Sequence, residues 1–322
     1  MTLTRTLFLL LAVTVSTSAA AVPAPYEQVR GLVWVVHDLD STVSKLQAFG
    51  LTEVHRSTPN RVDETFRGIP VSASFQHASA RFGAFSVDFV QPGSSHDAFS
   101  EFLKQHGDGI FALVSSVPSD DSLKNQARRL KDAGVSILEQ VTLGGTALTF
   151  FDTEPEGKYV IALTTAPNLD ATSGDPHVTH AGIAIEDPQA VSAYWQSLGW
   201  EPLTIAHATP REDSRYRGQP LLLSFDVAWH RRPSLTIEWI IPPNAPPNCY
   251  ADFLKEHGQG VQHLGVTVPD LGATMAHYKE LGYSAWQSGA WGDVGKKNSG
   301  RYTYMDTDRI GGVSIEIIQT YN

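Results

Sequence analysis

Four times along the chain a run of apolar residues gives way to a stretch whose apolar positions recur at helical spacing. The helical stretches are Asp38 to Gly50, Ser119 to Gly134, Asp187 to Gly199 and Asp270 to Gly282. Each opens on a residue whose side-chain oxygen can cap a helix N-terminus, and each stops at a glycine, which takes the left-handed C-terminal conformation without steric cost. In the last of them Leu271, Met275, Tyr278 and Leu281 form the apolar stripe. The pattern predicts four strand–helix units. Shorter strand-like stretches follow each helix, such as Leu221 to Phe225 and Leu235 to Ile241, broken by turn residues.

The units fall into two related halves. Arg67-Gly-Ile-Pro-Val-Ser-Ala-Ser-Phe75 returns as Arg217-Gly-Gln-Pro-Leu-Leu-Leu-Ser-Phe225, and Phe102-Leu-Lys-Gln-His-Gly-Asp-Gly109 returns as Phe253-Leu-Lys-Glu-His-Gly-Gln-Gly260. Two matches in the same order imply tandem duplication. Residues 22–170 and 171–322 are the two expected domains.

In a strand alternate side chains share a face. His180, Gly182 and Ala184 therefore point one way, and Ala181, Ile183 and Ile185 the other; His263, Gly265 and Thr267 repeat this against Leu264, Val266 and Val268. The histidine face is lined with small side chains, as a cavity wall would be. Glu238 lies between Ile237 and Trp239, and Glu316 between Ile315 and Ile317, so each carboxylate projects from a strand whose other face is apolar. A carboxylate turned into a barrel is costly unless it is paired or binds a cation. One such histidine would read as a hydrogen-bonded core residue. Two at equivalent positions, each seven residues before an aspartate (Asp187, Asp270), with two glutamates on late strands, point to a divalent metal site against the alternative of a vestigial polar cavity. Histidine and carboxylate donors suit Zn, Mn, Fe(II), Co or Ni.

A net charge of -10 leaves no basic stripe to neutralise phosphates, which excludes a nucleic-acid partner and directs attention to a small-molecule substrate. Arg5, the apolar run Leu7 to Val15 and Ala19-Ala20-Ala21 have the form of a cleavable leader, residues 1–21. No later run reaches the roughly 20 apolar residues of a membrane span, so the expectation is a product without a membrane anchor, periplasmic or secreted. The single cysteine, Cys249, rules out an intrachain disulfide and reads as a loop cysteine following Pro246-Pro247.

The His-x6-Asp openings, the segment from Phe253 to His263, and Gly300-Arg-Tyr-Thr-Tyr-Met-Asp-Thr307 followed by Ile315-Glu316 resemble the vicinal oxygen chelate superfamily, and within it the methylmalonyl-CoA epimerase and glyoxalase-like branch. The resemblance implies an α+β fold of four βαβββ modules forming two open barrels. It implies a metal held by His180, Glu238, His263 and Glu316, and no obligatory protein partner, since two barrels in one chain replace a dimer. The corresponding positions of the first half are Gly31, Asp88, Ala112 and Ala162, so that barrel is expected to be a filled scaffold, with His37 and His106 as surface or loop residues.

In the enzymes of that branch the metal acts as a Lewis acid on paired substrate oxygens, giving a chelated enolate, and a carboxylate moves the proton; the resemblance gives that role to Glu316. The chain departs from the epimerases in one respect. Their second acid/base carboxylate would fall in Gly218 to Phe225, which holds no acid, Asp226 being one place beyond. Three function classes follow: a metal-dependent isomerase, epimerase or lyase; an Fe(II) extradiol-type dioxygenase; and a metal-free binding or resistance protein. Against the dioxygenase, Glu238 would fill a coordination position and no histidine precedes Tyr304 at the spacing of the dioxygenase signature. The four ligand positions weigh against a pure binder. Arg301, Tyr304 and His230 are candidate substrate contacts, and Trp239, Trp286 and Trp291 are candidates for pocket wall or core. Lys296-Lys297 reads as a solvated turn.

Overall fold

The computed structural model describes residues 28–170 and 176–321, and side chains at 58–63 lie outside the description. The leader expected at 1–21 also falls outside the described residues.

The N-terminal half runs β1 (Val29–Val35), α1 (Leu39–Leu46), β2 (Leu51–Phe66), β3 (Ile69–Phe82), β4 (Phe85–Pro92), α2 (Ala98–His106), β5 (Gly109–Ser116), α3 (Asp120–Asp132), β6 (Ile137–Leu143), β7 (Thr146–Phe151), α4 (Glu154–Gly157) and β8 (Val160–Thr164). The C-terminal half runs β9 (His177–Ala184), α5 (Pro188–Ser197), β10 (Ala206–Ala208), β11 (Arg215–Tyr216), β12 (Gln219–Pro220), β13 (Phe225–His230), β14 (Thr236–Ile241), α6 (Cys249–His257), β15 (Gly260–Thr267), α7 (Leu271–Glu280), β16 (Ala285–Trp291), β17 (Ser299–Met305), α8 (Asp308–Gly311) and β18 (Ser314–Tyr321). This is the α+β arrangement of four βαβββ modules in two barrels.

The four expected helices form where their caps stand. Asp38, Ser119, Asp187 and Asp270 each accept a backbone N–H of the first turn, satisfying a donor that the helix itself leaves free. Gly50, Gly134, Gly199 and Gly282 end them at φ of 98°, 88°, 92° and 86°. Cys249 is not a loop residue: it is the first residue of α6, fully buried.

In the first barrel β1 pairs in parallel with β4 and antiparallel with β5, β5 pairs with β8, and the ring continues through β7, β6, β2 and β3 back to β4. Its interior is packed with Val33, Val35, Phe75, Phe99, Phe111 and Phe150. The second barrel repeats the order through β13, β14, β9, β15, β18, β17 and β16. Where β2 and β3 form a long hairpin in the first barrel, the second has only the fragments β10, β11 and β12. Leu221 to Phe225 is not a strand: Leu221 and Leu223 are buried and Leu222 is exposed, the alternation of a strand, but no neighbouring strand pairs with residues 221–224. The barrel therefore opens on that side.

The outer faces of the strands at the seam share one core, in which Leu32, Trp34, Ile183, Ile185, Leu264 and Ile315 are all buried. Indole donors fasten it. Trp34 Nε1 donates to the Gly311 carbonyl at 2.6 Å and Trp195 Nε1 to that of Gly157 at 3.2 Å. Among the described residues no helix is long and apolar enough to cross a membrane, a statement that does not concern β-barrels.

Candidate metal centre

Strand register brings the four candidate ligands together. Across the antiparallel β9–β15 pair His180 faces Gly265 and His263 faces Gly182; in the parallel neighbours Glu238 stands beside Gly182 and Glu316 beside Gly265. The glycines are required by this layout. A Cβ at Gly182 would lie 1.8 Å from His263 Cε1, and one at Gly265 would lie 2.1 Å from His180 Cε1. Each imidazole lies in the space that the opposite strand's missing side chain leaves.

The donor atoms converge. His180 Nε2 is 3.0 Å from His263 Nε2, 2.9 Å from Glu316 Oε2 and 3.4 Å from Glu238 Oε2. His263 Nε2 is 3.3 Å from Glu238 Oε2 and 3.5 Å from Glu316 Oε2. Donors about 2.0–2.2 Å from a common centre stand about 3 Å or slightly more from one another, so this spacing fits one transition-metal ion.

The surroundings hold the rings in the tautomer a metal needs. His263 Nδ1 is 2.8 Å from Gln262 Oε1, an acceptor only, which fixes the proton on Nδ1 and leaves the Nε2 lone pair inward. Thr179 Oγ1 donates to the Gly265 carbonyl and so accepts from His180 Nδ1 at 3.1 Å. The indole of Trp229 donates to Glu238 Oε1 at 3.0 Å, turning Oε2 to the centre. Glu316 Oε2 is buried and accepts no hydrogen bond, although it faces both histidines. An unsatisfied buried carboxylate oxygen among lone pairs is what a bound cation explains.

The histidines and carboxylates also shift one another's ionisation. Burial works against charging His180, but its contact with Glu316 and the charges of Glu238 and Glu316 outweigh this and raise its pKa. Burial likewise opposes ionisation of Glu238, yet its close contact with His263, the neighbouring His180 and the Trp229 indole hold its pKa below the usual carboxylate value.

The centre forms part of the wall of a cavity of about 560 Å³ that opens through the broken strand region. Leu221, Leu223, Phe225, Val227, Trp229 and Trp291 give it apolar walls, and Tyr302 and Tyr304 face inward from β17. Tyr250 donates its hydroxyl to Tyr304 at 3.0 Å. Burial first, and then nearby negative charge, push the phenol of Tyr304 well above its ordinary pKa, so it stays protonated.

Of the expected substrate contacts, Tyr304 lines the cavity and two others do not. Arg301 is one residue out of phase with Tyr302 and Tyr304, and its side chain is exposed. His230 is out of phase with Val227 and Trp229 and is fully buried, its Nε2 donating to the Glu201 carbonyl at 2.9 Å while Nδ1 accepts from Trp239 at 3.2 Å. It is a core histidine. Trp239 is core and Trp286 is buried, whereas Trp291 is wall. Asp226 sits 2.5 Å from His207 at the surface. The sequence reading did not reach Trp229, Tyr250, Tyr302 or Arg231 at the cavity; alternation from Glu238's partner strand would have found Trp229, whose Cα pairs with that of Glu238.

In the first barrel Gly31, Ala112 and Ala162 bear no donor, and Asp88 accepts from or pairs with His77 Nε2 at 2.9 Å, whose Nδ1 meets Ser57 Oγ at 2.8 Å. Among the described residues no metal-type cluster forms there. His37 is exposed and bonded to Asp108 as expected, but His106 is not a surface residue: only 11% of its side chain is exposed, at the seam between the barrels.

Two histidines and two glutamates with converging donor atoms, set in a barrel with one open side, form a candidate metal centre. Residues 179–304 match the family model described as the Glyoxalase/Bleomycin resistance protein/Dioxygenase superfamily. A substituted variant of 4-hydroxymandelate synthase from Streptomyces coelicolor is similar over 91% of this chain and 92% of its own, at 15% identity and a TM-score of 0.61. A xylose isomerase-like TIM barrel/4-hydroxyphenylpyruvate dioxygenase fusion protein is similar over 91% of this chain and 49% of its own, at 12% identity and a TM-score of 0.50. The Mn(II)-bound glyoxalase from Novosphingobium aromaticivorans aligns over 92% and 83% of the two chains, at 13% identity and a TM-score of 0.49. The first two likenesses show the fold. No protein of curated function matches the chain.

Proposed function

We propose that this protein is a metal-dependent isomerase, epimerase or lyase that acts on a small molecule with two neighbouring oxygens, and that Glu316 moves the proton. The observation that carries this reading is the convergence of His180, Glu238, His263 and Glu316 on one point beside the cavity, with Glu316 Oε2 unpartnered. A divalent ion held there would polarise the substrate oxygens and acidify the adjacent C–H. Glu316 then provides a carboxylate at the cavity wall, and the neutral phenol of Tyr304 packs against His263 with ring centroids 4.9 Å apart. The apolar wall keeps water from the exchanging proton.

The four protein donors also distinguish this reading from ring-cleaving oxygenation. His180, Glu238, His263 and Glu316 would hold a metal with one protein donor more than a three-donor facial triad, which would leave less room for dioxygen beside a substrate. Elemental analysis, and activity screening of small molecules with two neighbouring oxygens under anaerobic conditions in D2O, test the proposal. One metal in the barrel, lost in His263→Gln, with deuterium incorporated into product and activity retained without oxygen, supports it; replacing Glu316 by Gln should cost about 10²–10⁴-fold in exchange rate. Oxygen uptake stoichiometric with turnover would establish the dioxygenase instead, and a barrel that takes up no metal would leave a binding protein.

A further inference from the structure

The seam between the barrels holds a second set of donors. α2 and α6 end side by side: His106 Nδ1 lies 2.6 Å from the His257 carbonyl, and His257 Nδ1 lies 2.7 Å from the His106 carbonyl. A carbonyl only accepts, so both rings carry a proton on Nδ1 and turn Nε2 toward a carboxylate, the nitrogen that would ligate a metal in the neutral ring. A backbone carbonyl fixing the far nitrogen is the usual support of a metal-ligating histidine. His257 Nε2 stands 3.2 Å from Asp308 Oδ1, with their side chains 10% and 7% exposed. Both atoms are buried, and neither makes a hydrogen bond. Glu256, on the preceding residue, completes a group whose donor atoms all lie within 4.8 Å of one another. The C-terminal end of α6 adds the negative pole of its backbone dipoles, which favours a cation.

We propose that Glu256, His257 and Asp308 bind a second divalent transition metal, of the zinc class, which ties α6 to α8 at the seam. One imidazole and two carboxylates are a donor set that zinc, cobalt or manganese accepts, with water in the remaining positions. The duplicated position on the other side of the seam is an internal contrast. There His106 Nε2 is 3.3 Å from Glu154 Oε1, but Gln105 stands where the second half has Glu256, so the second carboxylate is missing. Lys158 lines the cleft that both sides share, and its ammonium is engaged by the Pro155 carbonyl. The structure thus assigns one ion to the seam.

The test is zinc titration of the chelator-stripped full chain by calorimetry, with elemental analysis of the dialysed product. Wild type should take two equivalents. His257→Gln should lose one and keep the other, while His263→Gln should show the reverse loss. Glu256 is exposed, so Glu256→Gln tests the site where the buried substitution impairs folding: the affinity of one equivalent should fall at least tenfold. A single equivalent in wild type, lost in His263→Gln and indifferent to both seam variants, would overturn the proposal while leaving the barrel centre intact. A single equivalent lost only in the seam variants would uphold it and remove the metal from the barrel.

Discussion

At the scale of single residues the metal centre depends on what is missing as much as on what is present. Adding one methyl in Gly182→Ala puts a carbon 1.8 Å from His263 Cε1, so the ring must leave its position. Metal affinity should fall at least tenfold by titration while the circular dichroism spectrum stays native. Gln262→Leu removes the acceptor that fixes the His263 tautomer, and a loss of about 10–100-fold in metal affinity is expected. The first barrel contains a different single-residue effect. Burial, and then the charge of Glu64, push the Glu139 carboxyl up to about 9; burial and Asp97 push Glu64 up to about 8. The folded state therefore holds protons that the unfolded chain releases near the ordinary carboxylate pKa of about 4.3. Stability from these groups is complete below that pH and is lost as pH rises through about 8 to 9. Urea denaturation from pH 5 to 9 should show the decline, and Glu139→Gln should flatten it. The meeting of His180, Glu238, His263 and Glu316 was legible in the sequence because strand alternation and the repeat put them at matching places on their strands. Arg301 and His230 were misplaced because nothing in the sequence fixes the parity of β13 and β17 relative to the cavity.

At the scale of elements the helices were legible through local chemistry, and the opening of the second barrel was not. Each helix carries its own start and stop, so Asp270→Ala should cost about 1 kcal/mol through the lost bond to the Ala273 N–H, with metal stoichiometry unchanged. Leu221 to Leu223, by contrast, has the burial alternation of a strand because Leu221 and Leu223 face the cavity, and alternation alone does not report whether a partner strand exists. In the first half β3 has that partner along most of its length, in β2, and its barrel is filled. Replacing the partner strand by the fragments β10 to β12 creates the cavity mouth. The filled barrel has the larger energetic stake in packing. Phe99, fully buried and edge-on to Phe75, Phe111 and Phe150, should cost about 3–5 kcal/mol as Phe99→Ala, read by urea denaturation.

At the scale of the molecule the two barrels are not independent bodies that happen to share a chain. The outward faces of β1, β9, β15 and β18 contribute Leu32, Trp34, Ile183, Leu264 and Ile315 to one buried core, and Val261 of β15 pairs directly with Ile110 of β5. An isolated C-terminal half would expose those residues to water, at roughly 25 cal/mol per Å² of apolar surface, and would lose the indole bonds of Trp34 and Trp195. A barrel without ligands is then retained for a physical reason: it covers the back of the strands that carry His180, His263 and Glu316. Residues 176–322 expressed alone should therefore either aggregate or associate through that face, and should bind metal in the barrel more weakly than the full chain. Calorimetric melting of the metal-stripped full chain should give one transition, and Phe99→Ala, far from any ligand, should lower the temperature at which the β13–β18 barrel unfolds. Two separate transitions, with only the first shifted by Phe99→Ala, would mean that the seam does not couple the halves and that the filled barrel has another role.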